Sequence, residues 1–179
     1  METTEKIVEA YVRYVKHWAT IPNIRCDGQM EIDLLAVNPL DFARYHIETS
    51  VSVSQGFSKL TAKEFDPDRL KVRVQQATQR RTIGYFIKRK FGSDHITRKL
   101  ADYGFKKGRY KKIIVTWDWT QSAKAVADDK GIELWSFKDI VQEIAGTIGE
   151  KRSYFVDDTL RTIGLFALAR GRSSSKRNS

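Results

Sequence analysis

Apolar residues recur first at helical spacing and then at alternate positions along the first third of the chain. Residues 4–19 place Ile7, Tyr14 and Trp18 on one helical face, and Pro22 ends this helix. Residues 24–53 alternate apolar and polar side chains, which predicts a β-hairpin meeting a further strand. Because side chains on a strand alternate faces, one face of each strand packs in a core while the other carries polar groups.

The remainder of the chain predicts alternating helices and strands. A loop rich in Ser and Gly at 54–60 precedes them. The predicted elements are a helix at about 67–90, a short helix and basic loop at 94–112, a strand at 112–117, a helix at 120–129, a strand at 132–135, a helix at 137–148 and a terminal helix within 154–169. A strand–helix–strand unit of this length predicts a parallel strand pair with a right-handed crossover.

Length and composition predict one α/β domain. The chain has 179 residues, of which 41% are hydrophobic, so it forms one substantial core and is too short for two domains of ordinary size. We expect the domain to span residues 1–170. Residues 171–179 are basic and of low complexity, which predicts a disordered tail.

Three carboxylates fall on the polar faces of the first strands. Glu31 and Asp33 share one face of their strand, and Glu48 shares a face with His46 and Ser50. We therefore expect the three acids to converge on a rigid scaffold, as oxygen ligands of the kind that Mg²⁺ prefers. Two interpretations of His46 stay open: a base or ligand beside Glu48, or a partly buried strand residue whose polar atoms are satisfied.

These strands resemble the PD-(D/E)XK superfamily of metal-dependent nucleases. The segment Gly28–Ala36 is similar to the Glu-X-Asp strand of the Holliday-junction-resolvase-like branch, and Ile47-Glu48-Thr49-Ser50 falls where that branch has Val-Glu-Val-Lys. Residues 115–141 resemble the second half of Mrr-type restriction nucleases of the same superfamily. The resemblance implies a restriction-endonuclease-like fold, with a central mixed β-sheet flanked by helices.

The resemblance also implies a Mg²⁺ (or Mn²⁺) site and a reaction. By analogy, Asp33, Glu48 and the backbone carbonyl of Thr49 hold the metal, which promotes hydrolysis of a phosphodiester. Glu31 is expected to bind a second metal or to hold water molecules. A glutamate of the first helix approaches the metal in the resembled nucleases, and here Glu5 and Glu9 are both candidates for that role, with a solvated helix face as the alternative.

The lysine of the motif is absent, since Ser50 occupies its place. One interpretation is that a lysine comes from elsewhere, with Lys59, Lys63 and Lys71 as candidates, and that the protein is a Mg²⁺-dependent DNA endonuclease of restriction, defence or recombination type. The other is a degraded nuclease fold that binds DNA or a partner protein without cleavage.

The charge of the chain points to DNA as the partner. The formal net charge is +10, and the region from Arg80 to Lys112 has twelve basic residues against two acids. Aromatic residues are interleaved with these cations, a pattern that suits contact with phosphates and bases. The candidate DNA-binding residues are Arg80, Arg81, Lys88, Arg89, Lys106, Lys107 and Arg109.

Cysteine content and hydropathy bear on location and assembly. Cys26 is the single cysteine, which excludes an internal disulfide and a cysteine-based zinc site and favours a reducing cytoplasm. No run of about 18 apolar residues is present, so no membrane span is expected. Many relatives in the resembled superfamily cut two strands as dimers, so a homodimer is also expected.

Overall fold

The protein folds around a five-stranded mixed β-sheet. A computed structural model describes residues 2–51, 59–66, 81–150 and 157–175. The strands, in sheet order, are β1 (Ala19–Cys26), β2 (Met30–Val37), β3 (Arg44–Ser50), β4 (Lys111–Thr116) and β5 (Ile132–Ser136). The pairs β1–β2 and β2–β3 are antiparallel, and β3–β4 and β4–β5 are parallel.

Helices flank the sheet. They are α1 (Thr3–Ala10), which continues into a π-helical turn (Tyr11–Val15), α2 (Ile83–Tyr85), which continues into a second π-helical turn (Phe86–Lys90), α3 (Asp94–Asp102), α4 (Gln121–Asp129), α5 (Phe137–Glu150) and α6 (Asp158–Ser175). This architecture confirms the predicted α/β class with a central mixed sheet between helices.

Both faces of the sheet are covered by apolar packing. On one face, Leu34 and Ile47 pack with Val8 of α1, Ile144 of α5 and Leu160 of α6. On the other face, α3 covers β1 and β2, and α4 covers β4 and β5; the apolar residues there include Leu35, Ile96, Leu100, Ile114 and Ala127. Burial of each large aliphatic side chain in this packing stabilises the fold by about 1.5–3 kcal/mol. The strands therefore hold the polar side chains that they carry in fixed positions.

The predicted parallel unit is confirmed, with its helix and turn formed as the sequence indicates. The side chain of Thr120 caps α4 by accepting a hydrogen bond from the backbone N–H of Ala123, at 3.2 Å. Gly131 follows α4 with a φ of +60°, a conformation that glycine adopts without a Cβ clash. The chain then enters β5 beside β4.

One predicted helix end was wrong, and the terminal helix is longer than expected. The first helical segment ends at Val15 rather than at residue 19, because His17 takes a φ of +59° and Ala19 already pairs with Val37 in the sheet. At the other terminus, α6 extends through Ser175, beyond the predicted domain end at residue 170. Continuing a formed helix requires no new nucleation, which explains why it enters the basic segment.

Some predicted segments lie outside the described residues: most of the loop at 54–60, residues 67–80 of the predicted helix, and residues 176–179 of the predicted tail. Within the described ranges, none of the helices combines the length and the apolar character that a membrane crossing requires.

Candidate active site

Strands β2 and β3 bring Asp33 and Glu48 together. Leu34 pairs with Ile47 in antiparallel register, so the next residues on the two strands, Asp33 and Glu48, are neighbours. The side chain of Asp33 is 6% exposed and that of Glu48 is fully buried. The predicted convergence of these two acids is therefore observed, within the protein rather than on an exposed loop.

A lysine lies between the two acids, and it comes from the π-helical turn after α2. The Nζ atom of Lys90 is 3.0 Å from Oδ1 of Asp33, 2.6 Å from Oε2 of Glu48 and 3.0 Å from the backbone carbonyl oxygen of Glu31. The lysine side chain is only 15% exposed. A cation from an element other than β3 thus contacts both acids.

The lysines proposed from the sequence do not fill this place. Lys59 was the leading candidate, but its Nζ lies 3.1 Å from Oδ2 of Asp118 and its side chain is 60% exposed. Lys59 therefore lies beside the connection between β4 and α4. The next residue, Leu60, also contacts this connection, since its backbone N–H donates a hydrogen bond to the carbonyl of Asp118. Lys63 is exposed, and Lys71 lies outside the described residues. Among the described residues, Lys90 and not Lys59 is the lysine that contacts Asp33 and Glu48, and a catalytic role of Lys59 stays a prediction.

The backbone of Thr49 contacts Asp33 through its N–H group. This N–H donates to Oδ2 of Asp33 at 2.7 Å, while Oδ1 of the same carboxylate accepts from Lys90. Both oxygens of Asp33 are therefore fixed by the protein. The expected role of the Thr49 carbonyl as a metal ligand stays a prediction.

His46 lies behind Glu48, away from solvent. Its Nε2 is 2.6 Å from Oε1 of Glu48, both side chains are fully buried, and the imidazole packs edge-on against Phe91 at 4.9 Å between ring centroids. Burial, with the positive charge of Lys90, lowers the pKa of His46 to about 3, so the ring is neutral at pH 7. A neutral imidazole donates from Nε2 to Glu48, and Nδ1 has no hydrogen-bond partner among the described residues.

Burial controls the protonation of the carboxylates. It raises the pKa of Asp33 to about 7, with a further contribution from the charge of Glu48, and it raises the pKa of Glu48 to about 7 as well; Lys90 opposes both shifts. Burial alone would lower the pKa of Lys90, but the charges of Glu48 and Asp33 outweigh it and raise that pKa above its usual value. With both acids ionised, one ammonium leaves the group with a net negative charge, which favours a further cation.

A second set of acids meets at Asp33. One carboxylate oxygen from each of Glu5, Glu31 and Asp33 lies within 4.8 Å of the others. Burial raises the pKa of Glu5, and the charge of Asp33 adds to this effect. Of the two candidates on the first helix, Glu5 is the one at the site, since Glu9 pairs with Arg13 at 2.9 Å. Three carboxylates at this spacing suit a hard divalent cation such as Mg²⁺ or Mn²⁺.

These groups face a cleft of about 340 Å³. Ser50 lines the cleft, as does Arg81, which was predicted to contact DNA. The full lining consists of Glu2, Glu5, Glu31, Asp33, Thr49, Ser50, Val51, Arg81, Tyr85, Phe86 and Lys90. The cleft therefore contains acids, a shared lysine and an arginine, a set that suits a phosphate group held beside a metal ion.

The other predicted DNA contacts do not gather around the cleft. Lys88 and Arg89 are exposed on the turn that precedes Lys90, and Nζ of Lys88 reaches the carbonyl of Phe65 at 3.3 Å. Three more predicted contacts lie just before β4: Lys106, Lys107 and Arg109. The first residue of β4, Lys111, pairs with Tyr45, which lies three residues before Glu48 in β3. Arg80 lies outside the described residues. The basic region is thus split between two parts of the molecule.

Sequence reasoning missed Lys90, although one signal pointed to it. Phe86 is buried, and Lys90 follows it by four positions, which puts both on the same side of a helix. Lys88 and Arg89, in contrast, are exposed. Of three consecutive cations, the one in register with an apolar anchor is the one directed inward.

Comparisons with known proteins identify no family for this chain. No protein-family model and no curated protein matches the chain. The crystal structure of a protein of unknown function, AF1548, is similar at 16% sequence identity over 97% of this chain and 95% of that chain, with a TM-score of 0.44.

Proposed function

We propose that the protein is a Mg²⁺- or Mn²⁺-dependent DNA endonuclease with a restriction-endonuclease-like fold. The observation that carries this proposal is the position of Lys90, whose ammonium lies within 3.0 Å of both Asp33 and Glu48. Of the charged residues that the PD-(D/E)XK motif comprises, the sequence lacked only the lysine. A buried lysine from another element, in contact with both motif acids, supports an active site rather than a degraded one.

The acids at the cleft fit a divalent cation. Asp33, Glu5 and Glu31 offer carboxylate oxygens close together, and Asp33 with Glu48 and the Thr49 carbonyl is the set that the resemblance implies. Asp33 belongs to both sets, so it is the residue on which metal binding depends most. A divalent cation in such a site polarises a phosphate and makes water more acidic.

The protein groups account for positioning and charge. Lys90 provides a fixed positive charge beside the acids, where it offsets negative charge that develops on a phosphate during hydrolysis. His46 holds Oε1 of Glu48 from the buried side, while Oε2 contacts Lys90 on the side of the cleft. Arg81 lines the cleft, and we propose that it contacts a phosphate bound there.

DNA is the proposed substrate because the chain has a formal net charge of +10. A reducing cytoplasm is the proposed location, in keeping with a single cysteine. A homodimer, or a complex with a partner protein in defence or recombination, is the proposed setting in which two strands are cut.

A noncatalytic DNA- or protein-binding module is the alternative. One observation favours it: Glu48 contacts both His46 and Lys90 inside the protein, as a member of a structural ion pair network does. In that case the acids stabilise the fold and the chain binds DNA without cutting it.

Plasmid cleavage tests the proposal. Supercoiled DNA is incubated with the protein in Mg²⁺, Mn²⁺ or EDTA, in parallel with Asp33→Asn and Glu48→Gln. Asp118→Asn is the matched control, since Asp118 is an acid paired with a lysine outside the cleft. We expect cleavage only with metal, its loss in the two site variants and its retention in the control. Cleavage in EDTA, or equal cleavage by Asp33→Asn, would contradict the proposal.

A further inference from the structure

The turn between β2 and β3 presents two large apolar side chains to solvent. This turn, residues 38–43, is called the apolar turn below. Leu40 is 90% exposed and Phe42 is 70% exposed. A turn is normally formed from polar residues, so a pair of apolar side chains at its tip marks a surface that contacts another molecule.

The conformation of the apolar turn is fixed by its own hydrogen bonds. The Asn38 side chain accepts from the N–H of Leu40 at 3.1 Å, and the Asn38 carbonyl accepts from the N–H of Phe42 at 2.9 Å. The Asp41 side chain accepts from the N–H of Ala43 at 2.9 Å. Phe42 has a φ of +56°, which is unusual for an aromatic residue. The turn thus holds Phe42 outward in a conformation that an isolated chain disfavours.

The surroundings of the apolar turn are basic. Arg44 follows it directly, and Tyr45 pairs with Lys111 at the start of β4. Residues 103–112, which lead into and begin β4, include five basic residues and no acid. Two acids also lie here: Asp41 accepts a hydrogen bond within the turn, and Glu133 lies 3.7 Å from Lys111. Apolar side chains beside clustered cations complement the bases and phosphates of nucleic acid.

We propose that the apolar turn is a DNA-contact wedge, in which Leu40 and Phe42 pack against the bases of duplex DNA while the neighbouring cations bind its phosphates. The proposal rests on DNA as the substrate in the proposed function. Apolar side chains of this kind insert at base steps and unstack them in architectural DNA-binding proteins. The exposed Leu40 and Phe42 would be covered by the DNA.

The fold gives the distance of the wedge from the cleft. Asn38 follows Asp33 by five residues along β2, which corresponds to about 17 Å at the rise of a strand. A duplex that lies along β2 would therefore meet the wedge about five base pairs from a phosphate at Asp33, at about 3.4 Å for each base pair.

The experiment measures DNA affinity without cleavage. Binding of a fluorescein-labelled duplex in EDTA at fixed salt is compared for the unmodified protein, Leu40→Ser/Phe42→Asn and the control Leu165→Ser/Phe166→Asn. The control changes the same residue types at similar exposure, 70% and 69%, on α6. Asn tolerates the positive φ at position 42. Sedimentation establishes that the three proteins share one oligomeric state.

We expect the turn variant to bind about tenfold more weakly, since it loses the packing of an aromatic and an aliphatic side chain against bases, and the control to bind as the unmodified protein does. A 2-aminopurine base scanned through the duplex is expected to brighten on binding at one step and to stay dim with the turn variant. Equal affinity of the turn variant and the unmodified protein, or no DNA binding by either, overturns the wedge; a turn that serves a protein or lipid partner gives this result.

The two proposals fail separately. Loss of DNA affinity in the turn variant, without cleavage in any metal, supports the wedge and refutes the nuclease. Metal-dependent cleavage with unchanged affinity of the turn variant supports the nuclease and refutes the wedge.

Discussion

At the scale of residues, the electrostatics of the cleft depend on two carboxylates that are shielded from solvent. Asp33 and Glu48 are both buried, and burial raises the pKa of each to about 7. A single ammonium, that of Lys90, contacts both. Without a divalent cation, the ionised form of this pair is therefore unfavourable, and the protein stability depends on pH in a defined direction.

Asp33→Asn tests this dependence in EDTA. An acid whose folded-state pKa is raised binds its proton more tightly in the folded state, so it lowers the free energy of unfolding as the pH rises from about 4 to about 7. Asparagine at position 33 does not titrate in this pH range, so the variant lacks this contribution to the pH dependence. The stability of the unmodified protein relative to the variant is expected to fall across this window, by at most about 1.4 kcal/mol for each pH unit. Urea unfolding of both proteins from pH 4 to pH 8 measures the difference, and parallel curves would refute the account.

His46 gives a second prediction at this scale. His46→Gln keeps an N–H donor for Oε1 of Glu48, whereas His46→Leu leaves a buried carboxylate oxygen without one. The leucine variant is expected to be less stable than the glutamine variant by about 1–3 kcal/mol in urea unfolding at pH 8. Equal stability of the two variants would mean that the contact with Glu48 contributes nothing to the fold.

At the scale of elements, the π-helical turn Phe86–Lys90 carries the lysine into the cleft. The N–H of Phe91 donates to the carbonyl of Phe86 at 2.8 Å, which closes the wider turn. Gly92 follows at once, where a Cβ would lie 2.5 Å from the carbonyl oxygen of Ile87. Only glycine, which has no Cβ, allows the backbone at this position to lie so close to the carbonyl of Ile87.

Gly92→Ala is expected to shift this turn and to move Lys90 away from the acids. The variant should lose stability by about 1–3 kcal/mol through overpacking, and its cleavage activity should fall. Gly146→Ala is the matched control, because a Cβ at that position in α5 meets nothing within 4 Å. The control should be more stable by about 0.5–1 kcal/mol, as alanine favours a helix. Thermal unfolding and plasmid cleavage measure both effects; unchanged cleavage by Gly92→Ala would contradict this role of the turn.

The same element shows how far the sequence could predict the site. Alternation within one strand is a local pattern, so the placement of Asp33 and Glu48 could be predicted from neighbouring residues alone. Lys90 lies 40 positions after Ser50, and only the packing of Phe86 against the sheet brings it to the acids. Such tertiary placement leaves no spacing rule that relates Lys90 to Ser50, which explains why the nearer Lys59 was proposed instead.

At the scale of the whole molecule, the cleft and the basic loop before β4 lie toward opposite ends of the sheet. Glu48 pairs with Ile114 in β4, whereas Lys111 pairs with Tyr45 three residues earlier in β3. The net charge could be predicted from composition. The separation of the basic loop from the cleft could not, because it depends on how α3 returns the chain across the sheet. A duplex that contacts both parts would cross the sheet from the cleft to the apolar turn.

The central claim is that Lys90 replaces the missing motif lysine, and metal-dependent plasmid cleavage by lysine variants tests it most directly. Lys90→Met is expected to cut at least about 100-fold more slowly, since it removes a fixed charge beside the reacting phosphate. Lys59→Met should cut as the unmodified protein does, because Lys59 pairs outside the cleft. Ser50→Lys added to Lys90→Met should restore part of the rate, as both positions line the cleft. Equal rates for Lys90→Met and Lys59→Met would contradict the claim.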